Sequence, residues 1–313
     1  MYNAAEFTSS VVGIVRLPKE LLSVWLTRMG ANMTNSAIES LVEQAKQGDK
    51  QALDGLIRGV QDQIYGLAIR MLCHPADAED ATQEILVKVV THLSDFRHES
   101  AFRTWVYRIA SNHLVTTHKR RAERREITFE ECEAAVDAGL SAQWSDSRLE
   151  AEQSLVVQEV MMTCAHVLLL CLDRDLRLAY ILGECLDVTS EQGGFILNTT
   201  STAFRKRRSR ARKLFQDFMR RNCGLIDASN PCRCAQQVPY SVKTRLIDPD
   251  KLPFARHPRR DPGEFLTTEQ LQQMREIQRV AAFFRSLPQY IAPDKFAKSL
   301  KNVIDSGDVD MTS

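Results

Sequence analysis

Apolar residues recur along this chain mostly at the three-to-four spacing of a helix, and seldom in the two-residue alternation of a strand. Leu53, Ile57, Val60, Ile64, Leu67 and Met71 fall on one stripe and predict a long amphipathic helix. Pro75 is expected to close it, with Asp77 as N-cap of the next helix. In that next helix Ala81, Ile85, Val89 and Leu93 face inward, while Asp77, Asp80, Glu84 and Lys88 project from another face. A third helix is predicted to bury Phe102, Trp105 or Val106, Ile109, and His113 or Leu114. Phe204, Ala211, Phe215 and Phe218 form a comparable stripe much later in the chain. With only 13 Gly and 10 Pro in 313 residues, the expected fold class is all-α.

These stripes divide the chain. Residues 1–33 are weakly amphipathic and read as a dispensable N-terminal arm. Residues 34–125 read as a compact bundle of three or four helices. Residues 126–148 read as an acidic linker, since Glu126 to Glu152 holds eight carboxylates and one arginine. A second small helical domain covers about 149–221. It ends as a helix-turn-helix: one helix from about Ser190, a break near Asn198–Thr200, and a second helix capped by Ser201. The apolar run Val160–Leu172 is too short to cross a bilayer and reads as a buried helix. Residues 222–313 form a partly helical extension in which Phe283, Phe284, Leu287, Tyr290, Ile291 and Phe296 cluster around Pro288 and Pro293.

The formal net charge is only +1, but the charge is sorted. Between Phe96 and Arg125 eight Arg and Lys stand against Glu99 and Glu123, and Ser201–Lys213 holds seven basic residues and no acid. Two separated cationic surfaces suit a polyanion touched in two places, and DNA is the obvious one. No glycine-rich phosphate loop and no nucleophile signature is present, so an enzyme is not expected. Eight scattered cysteines and no convincing secretory signal point to a cytoplasmic chain with reduced thiols and no membrane insertion.

The stretch DAEDATQEILVKVVTHLSDFRHESAFRTWVYRIASNHLVTTHKRR resembles region two of bacterial RNA polymerase sigma factors of the extracytoplasmic-function (ECF) type. The family pattern there is D-A-E-D-x-x-Q-E, an apolar helix, then F-R-x-x-x-x-F-R-T-W-x-Y-R-I-A-x-N and a basic end. The stretch CLDRDLRLAYILGECLDVTSEQGGFILNTTSTAFRKRRSRAR resembles region four. The resemblance implies a polymerase specificity subunit that binds core RNA polymerase and promoter DNA and acts as a monomer in holoenzyme; whether an anti-sigma factor is a further partner stays open at this point. Asp77, Asp80, Gln83 and Glu84 are then the core-binding face. Arg103, Arg108, Asn112, His118, Lys119, Arg120 and Arg121 are candidates for reading and melting the −10 element. Ser201, Thr202, Arg205, Lys206, Arg207 and Arg210 are candidates for the −35 element in the major groove.

The chain departs from the family pattern in places. Arg208 stands on the buried stripe of the second helix of the motif, Gly193-Gly194 lie in the first, and Asn198 holds the turn position usually taken by glycine. No cofactor is required, but Cys223, Cys232 and Cys234 offer thiolates that suit zinc or copper(I), one ligand short of a closed site. Cys164, Cys171 and Cys185 are expected in the core. Two other functions stay open at this point: a helix-turn-helix regulator acting without polymerase, and a metal- or thiol-responsive sensor gating sigma activity through the tail. The aromatic cluster of the extension is expected to pack on one of the two domains and restrain it, so that deleting residues 235–313 raises transcription.

Overall fold

The computed structural model describes residues 35–117, 127–141, 153–258, 266, 268–293 and 296. The N-terminal arm, His118–Arg121 and the end of the extension lie outside them. Among the described residues the regular elements are helices, with isolated bridges at Cys223–Cys232 and Asp248–Lys251.

Four helices build the first bundle: α1 (Asn35–Lys46), α2 (Lys50–Leu72), α3 (Pro75–Thr91) and α4 (Phe102–Thr116). Asp49 starts α2 by accepting the Gln51 and Ala52 amides. Every position of the predicted α2 stripe is buried, from Leu53 to Met71. The turn after α2 differs from expectation. Cys73 closes the helix in a left-handed conformation at φ 53°, and Pro75 then opens α3 as its first residue. The N-cap is His74, whose Nδ1 accepts from the Asp77 amide at 3.3 Å, so Asp77 is not the cap. Phe96, Phe102 and Trp105 pack with centroids 5.3–5.6 Å apart and fix the entry into α4.

The expected acidic linker contains a helix, α5 (Phe129–Leu140). Thr128 and Glu131 make a capping box at its start, and Phe129 packs on Phe215 and Phe218. One aromatic anchor and a satisfied N-terminus outweigh the acidic composition. The second helical unit holds α6 (Gln153–Leu170), α7 (Arg174–Tyr180) with a wide π turn over Ile181–Cys185, α8 (Ser190–Ile196) and α9 (Ser201–Asn222). The extension adds α10 (Cys234–Lys243), α11 (Thr268–Gln272) and α12 (Glu276–Ser286).

The extension is built into the core. Phe284 is fully buried against Tyr180 and Phe215, with centroids 5.3 and 4.9 Å away. Buried Glu159 on α6 accepts the Phe254 amide at 3.1 Å and the Ala255 amide at 2.6 Å. His166 stacks on Phe254 at 4.3 Å, and the Tyr290 hydroxyl meets Met162 Sδ at 3.6 Å. The same segment also grips the first bundle. Asp62 accepts the Ala292 amide at 2.9 Å, buried Arg70 donates to the Pro288 carbonyl, and Tyr65 stacks on His257 at 5.2 Å. One hydrophobic cluster therefore runs through both helical units and the extension.

Candidate polymerase and promoter interfaces

Three surfaces carry the candidate residues. On α3, Asp80, Gln83 and Glu84 are exposed, as a docking face requires. Asp77 is not part of it. It is 3% exposed, because the His74 cap turns it inward, with its carboxylate 3.7 Å from His74 Nδ1. Glu84 lies 3.2 Å from Nε2 of buried His113 on α4, which fixes α3 against the next helix.

On α4 the candidates are held differently from one another. Asn112 is exposed, while Arg103 and Arg108 are half-buried. The Arg108 guanidinium sits over the Phe195 ring of α8, 4.7 Å from its centroid. Arg174 of α7 donates to the Val115 carbonyl at 3.0 Å and to that of Thr117, closing the end of α4 against the second unit. Trp105 packs on Phe96 and Phe102 at the edge of the core and is half-buried, while Val106 beside it is the buried one. His118, Lys119, Arg120 and Arg121 follow this end, outside the described residues.

The helix-turn-helix is α8, a tight turn, and α9. Thr189 and Gln192 form a capping box at the start of α8, and Asn198 takes the left-handed conformation at φ 49° in the turn. The N-cap of α9 is Thr200, which accepts the Ala203 amide at 3.0 Å. Ser201 is the first helical residue, one position later than expected for a cap. Phe204, Ala211, Phe215 and Phe218 are buried as predicted. On the outer face Thr202, Arg205, Lys206 and Arg210 are exposed, and Ser201 and Arg207 half-buried. Arg205 donates to Thr202 Oγ1 at 3.2 Å, and Arg207 pairs with Asp175 at 3.3 Å.

The structure gives each departure a cause. Arg208 stays on the buried side because its Nε lies 3.4 Å from buried Glu184, which Arg212 also engages. Its stem covers Gly183, where a Cβ would come within 2.3 Å of Arg208 Cδ. A Cβ on Gly193 would sit 2.5 Å from the Phe204 ring, and one on Gly194 2.9 Å from the Thr199 carbonyl oxygen. The glycine pair lets α8 and α9 approach closely.

Cys164 is exposed and Cys171 and Cys185 are half-buried, so the expectation of three core thiols does not hold. Cys223, Cys232 and Cys234 gather where α9 ends and α10 begins, with the Gly224 amide donating to the Cys232 carbonyl. Among the described residues no group of three or more His, Cys, Asp or Glu side chains that could hold a metal ion is found. Among the same residues no helix is long and apolar enough to cross a membrane.

Comparison with known proteins gives the family. Residues 56–125, from α2 through α4 and the basic segment after it, match the family Sigma-70 region 2. The RNA polymerase sigma-H factor of Pseudomonas aeruginosa is 30% identical over 185 residues, covering 58% of this chain and 93% of that protein. The ECF RNA polymerase sigma-E factor of Haemophilus influenzae is 30% identical over 182 residues, covering 57% of this chain and 93% of the relative. The chain belongs to the ECF family of RNA polymerase sigma factors. SigW, an ECF sigma factor of Bacillus subtilis, is 28% identical over 187 residues. As an ECF sigma factor the chain acts in promoter-directed transcription initiation through RNA polymerase, as a regulator of transcription. The first helical unit corresponds to region two, and more than a third of this sigma factor lies outside the length matched by these relatives.

Proposed function

We propose that the free protein is a closed sigma factor whose extension holds regions two and four together until core RNA polymerase binds. Asp80, Gln83 and Glu84 are the docking face, exposed and acidic, suited to cations on the polymerase. Asn112, with Arg103, Arg108 and the basic segment from His118 to Arg121, serves the −10 element. The exposed face of α9, with Arg205, Lys206 and Arg210 foremost, serves the −35 element, part of it by phosphate contact alone. Asp77 has no direct part in docking. The protein works as a monomer within holoenzyme, in the cytoplasm.

The observation that carries this reading is the packing of Arg108 on Phe195. It joins a −10 candidate to the first helix of the −35 reader. By their names the two elements lie about 25 base pairs apart, or about 85 Å at about 3.4 Å per pair. A compact chain of this length has a radius of gyration of about 20 Å. Regions two and four in contact do not reach both elements, so promoter recognition requires them to part. The extension opposes parting, because it bonds to Asp62 and Arg70 in region two and to Glu159 and Glu184 in region four.

The test is distance. Fluorophores placed at exposed Gln51 and exposed Glu191 are expected to move apart when core polymerase is added. An unchanged distance in a transcriptionally competent holoenzyme contradicts the closed-to-open reading.

A further inference from the structure

Six of the eight cysteines converge where α5, α6, the end of α9 and the start of α10 meet. Cys164 lies within electrostatic reach of Cys132, Cys223, Cys232 and Cys234, and Cys171 within reach of Cys132 and Cys164. One pair stands out. Sγ of Cys132, in α5 of the connecting segment, lies 3.5 Å from Sγ of Cys171, just past the end of α6, and the two residues are 39 apart in sequence. A disulfide needs about 2.05 Å between sulfurs. The two sulfurs are therefore about 1.5 Å from bonding distance.

We infer that Cys132 and Cys171 form an oxidation site, a dithiol that small hydroperoxides convert to a disulfide tying the inter-region helix α5 to region four. The chemical environment agrees with the geometry. The contact between the two sulfurs holds the Cys132 thiol below the ordinary cysteine range and pushes Cys171 up. Burial acts the other way at the neighbouring thiols, raising Cys232 to about 11 and Cys234 to about 12. Cys132 is buried and Cys171 half-buried, so it is their sulfur–sulfur contact, not exposure, that singles out the pair.

The chemistry balances. The Cys132 thiolate attacks one peroxide oxygen, the O–O bond breaks, and the departing oxygen takes a proton and leaves as water or an alcohol. Cys132 becomes a sulfenic acid. Cys171, losing its proton, attacks the Cys132 sulfur and expels hydroxide, which takes up that proton as water. Two thiols and one hydroperoxide give one disulfide, one water and one alcohol, or two waters from hydrogen peroxide. Serial reduction by a dithiol returns the starting state.

The experiment uses the full chain, fully reduced, exposed to hydrogen peroxide and then alkylated. Non-reducing peptide mapping is expected to show a Cys132–Cys171 link before any other pair, lost on treatment with dithiothreitol. In Cys171→Ser, the sulfenic acid has no resolving partner, and dimedone is expected to label Cys132. Cys164→Ser should leave the link intact. If Cys171→Ser fails to give the wild-type helical signal, the alkylation rates of the wild-type thiols decide. After peroxide, Cys132 and Cys171 are expected to be lost to alkylation together, and before Cys223, Cys232 or Cys234. Pairing among Cys223, Cys232 and Cys234 with Cys132 and Cys171 still alkylatable overturns the assignment. A further consequence, slower transcription by the oxidised protein, rests on the opening proposed above. The peptide map does not, so the two fail separately.

Discussion

The Arg108 guanidinium lies 4.7 Å from the centroid of Phe195, so a −10 candidate in region two rests on the helix-turn-helix of the second unit. A cation over a ring at a half-exposed site contributes about 0.5–1 kcal/mol. Phe195→Ala is expected to weaken the closed state by about that amount. Association with core polymerase should then be about two- to fivefold faster, read by stopped-flow fluorescence. An unchanged association rate means this contact does not limit opening.

Glu159 is 1% exposed and accepts the Phe254 and Ala255 amides of the extension. Glu159→Ala leaves two buried donors without that carboxylate, which costs about 2–3 kcal/mol. A loss of that size in urea unfolding, with faster proteolysis inside residues 235–258, is the expected result. Promoter-dependent transcription should rise as the clasp loosens. This single substitution tests restraint more cleanly than removal of residues 235–313, because Phe284, Tyr290 and Phe296 fill the shared core and deletion would expose it.

The glycine pair reverses a simple propensity argument. In an exposed helix Gly→Ala stabilises by about 0.5–1 kcal/mol. Here the Cβ at position 193 meets the Phe204 ring at 2.5 Å, on a ring with no exposure. Gly193→Ala is expected to lower stability by about 1–3 kcal/mol and to weaken −35 binding by displacing α9. A higher melting temperature would contradict this packing.

His166 makes the extension pH-sensitive. Burial lowers its pKa to about 4, with the nearby Arg70 charge acting in the same direction and the bond to the Met162 carbonyl opposing. That carbonyl lies 2.7 Å from Nδ1, while buried Nε2 has no hydrogen-bond partner. An unfolded histidine titrates near 6.5. Between about 6.5 and about 4 the unfolded chain binds a proton that the folded chain refuses. The histidine's stability contribution is therefore complete above pH 6.5 and declines as pH falls through that window, by up to about 3 kcal/mol at its lower end. Urea unfolding at pH 7 and pH 5 reads the slope, and His166→Phe, which keeps a ring against Phe254, should flatten it.

What was legible in the sequence was what is local. The α2 stripe from Leu53 to Met71 and the α9 stripe from Phe204 to Phe218 are each set by one helix period, and both are buried as read. The turn at Asn198 follows from one residue's tolerance of positive φ. Other features failed for identifiable reasons. Asp77 looked like a cap, but Pro at the first helical position moves the cap back to His74 and turns Asp77 inward. Helix α5 was hidden by its acidic composition, although Thr128-x-x-Glu131 is a capping-box pattern open to view. Arg208 looked misplaced because its partner, Glu184, lies in another helical element. Arg108 on Phe195 and Cys132 beside Cys171 join positions far apart in the chain, and no periodicity announces such pairs.

The most direct test of the docking face is the affinity of the purified chain for core RNA polymerase, wild type against Asp80→Arg/Glu84→Arg. Both side chains are exposed, but Glu84 also pairs with buried His113, so helical signal and a wild-type urea midpoint are the folding controls, with Asp80→Arg alone measured beside the double variant. The account predicts tight binding by wild type and a loss of at least tenfold, about 1.4 kcal/mol, in the double variant. Equal affinity of the two proteins would contradict the assignment of this face to the polymerase.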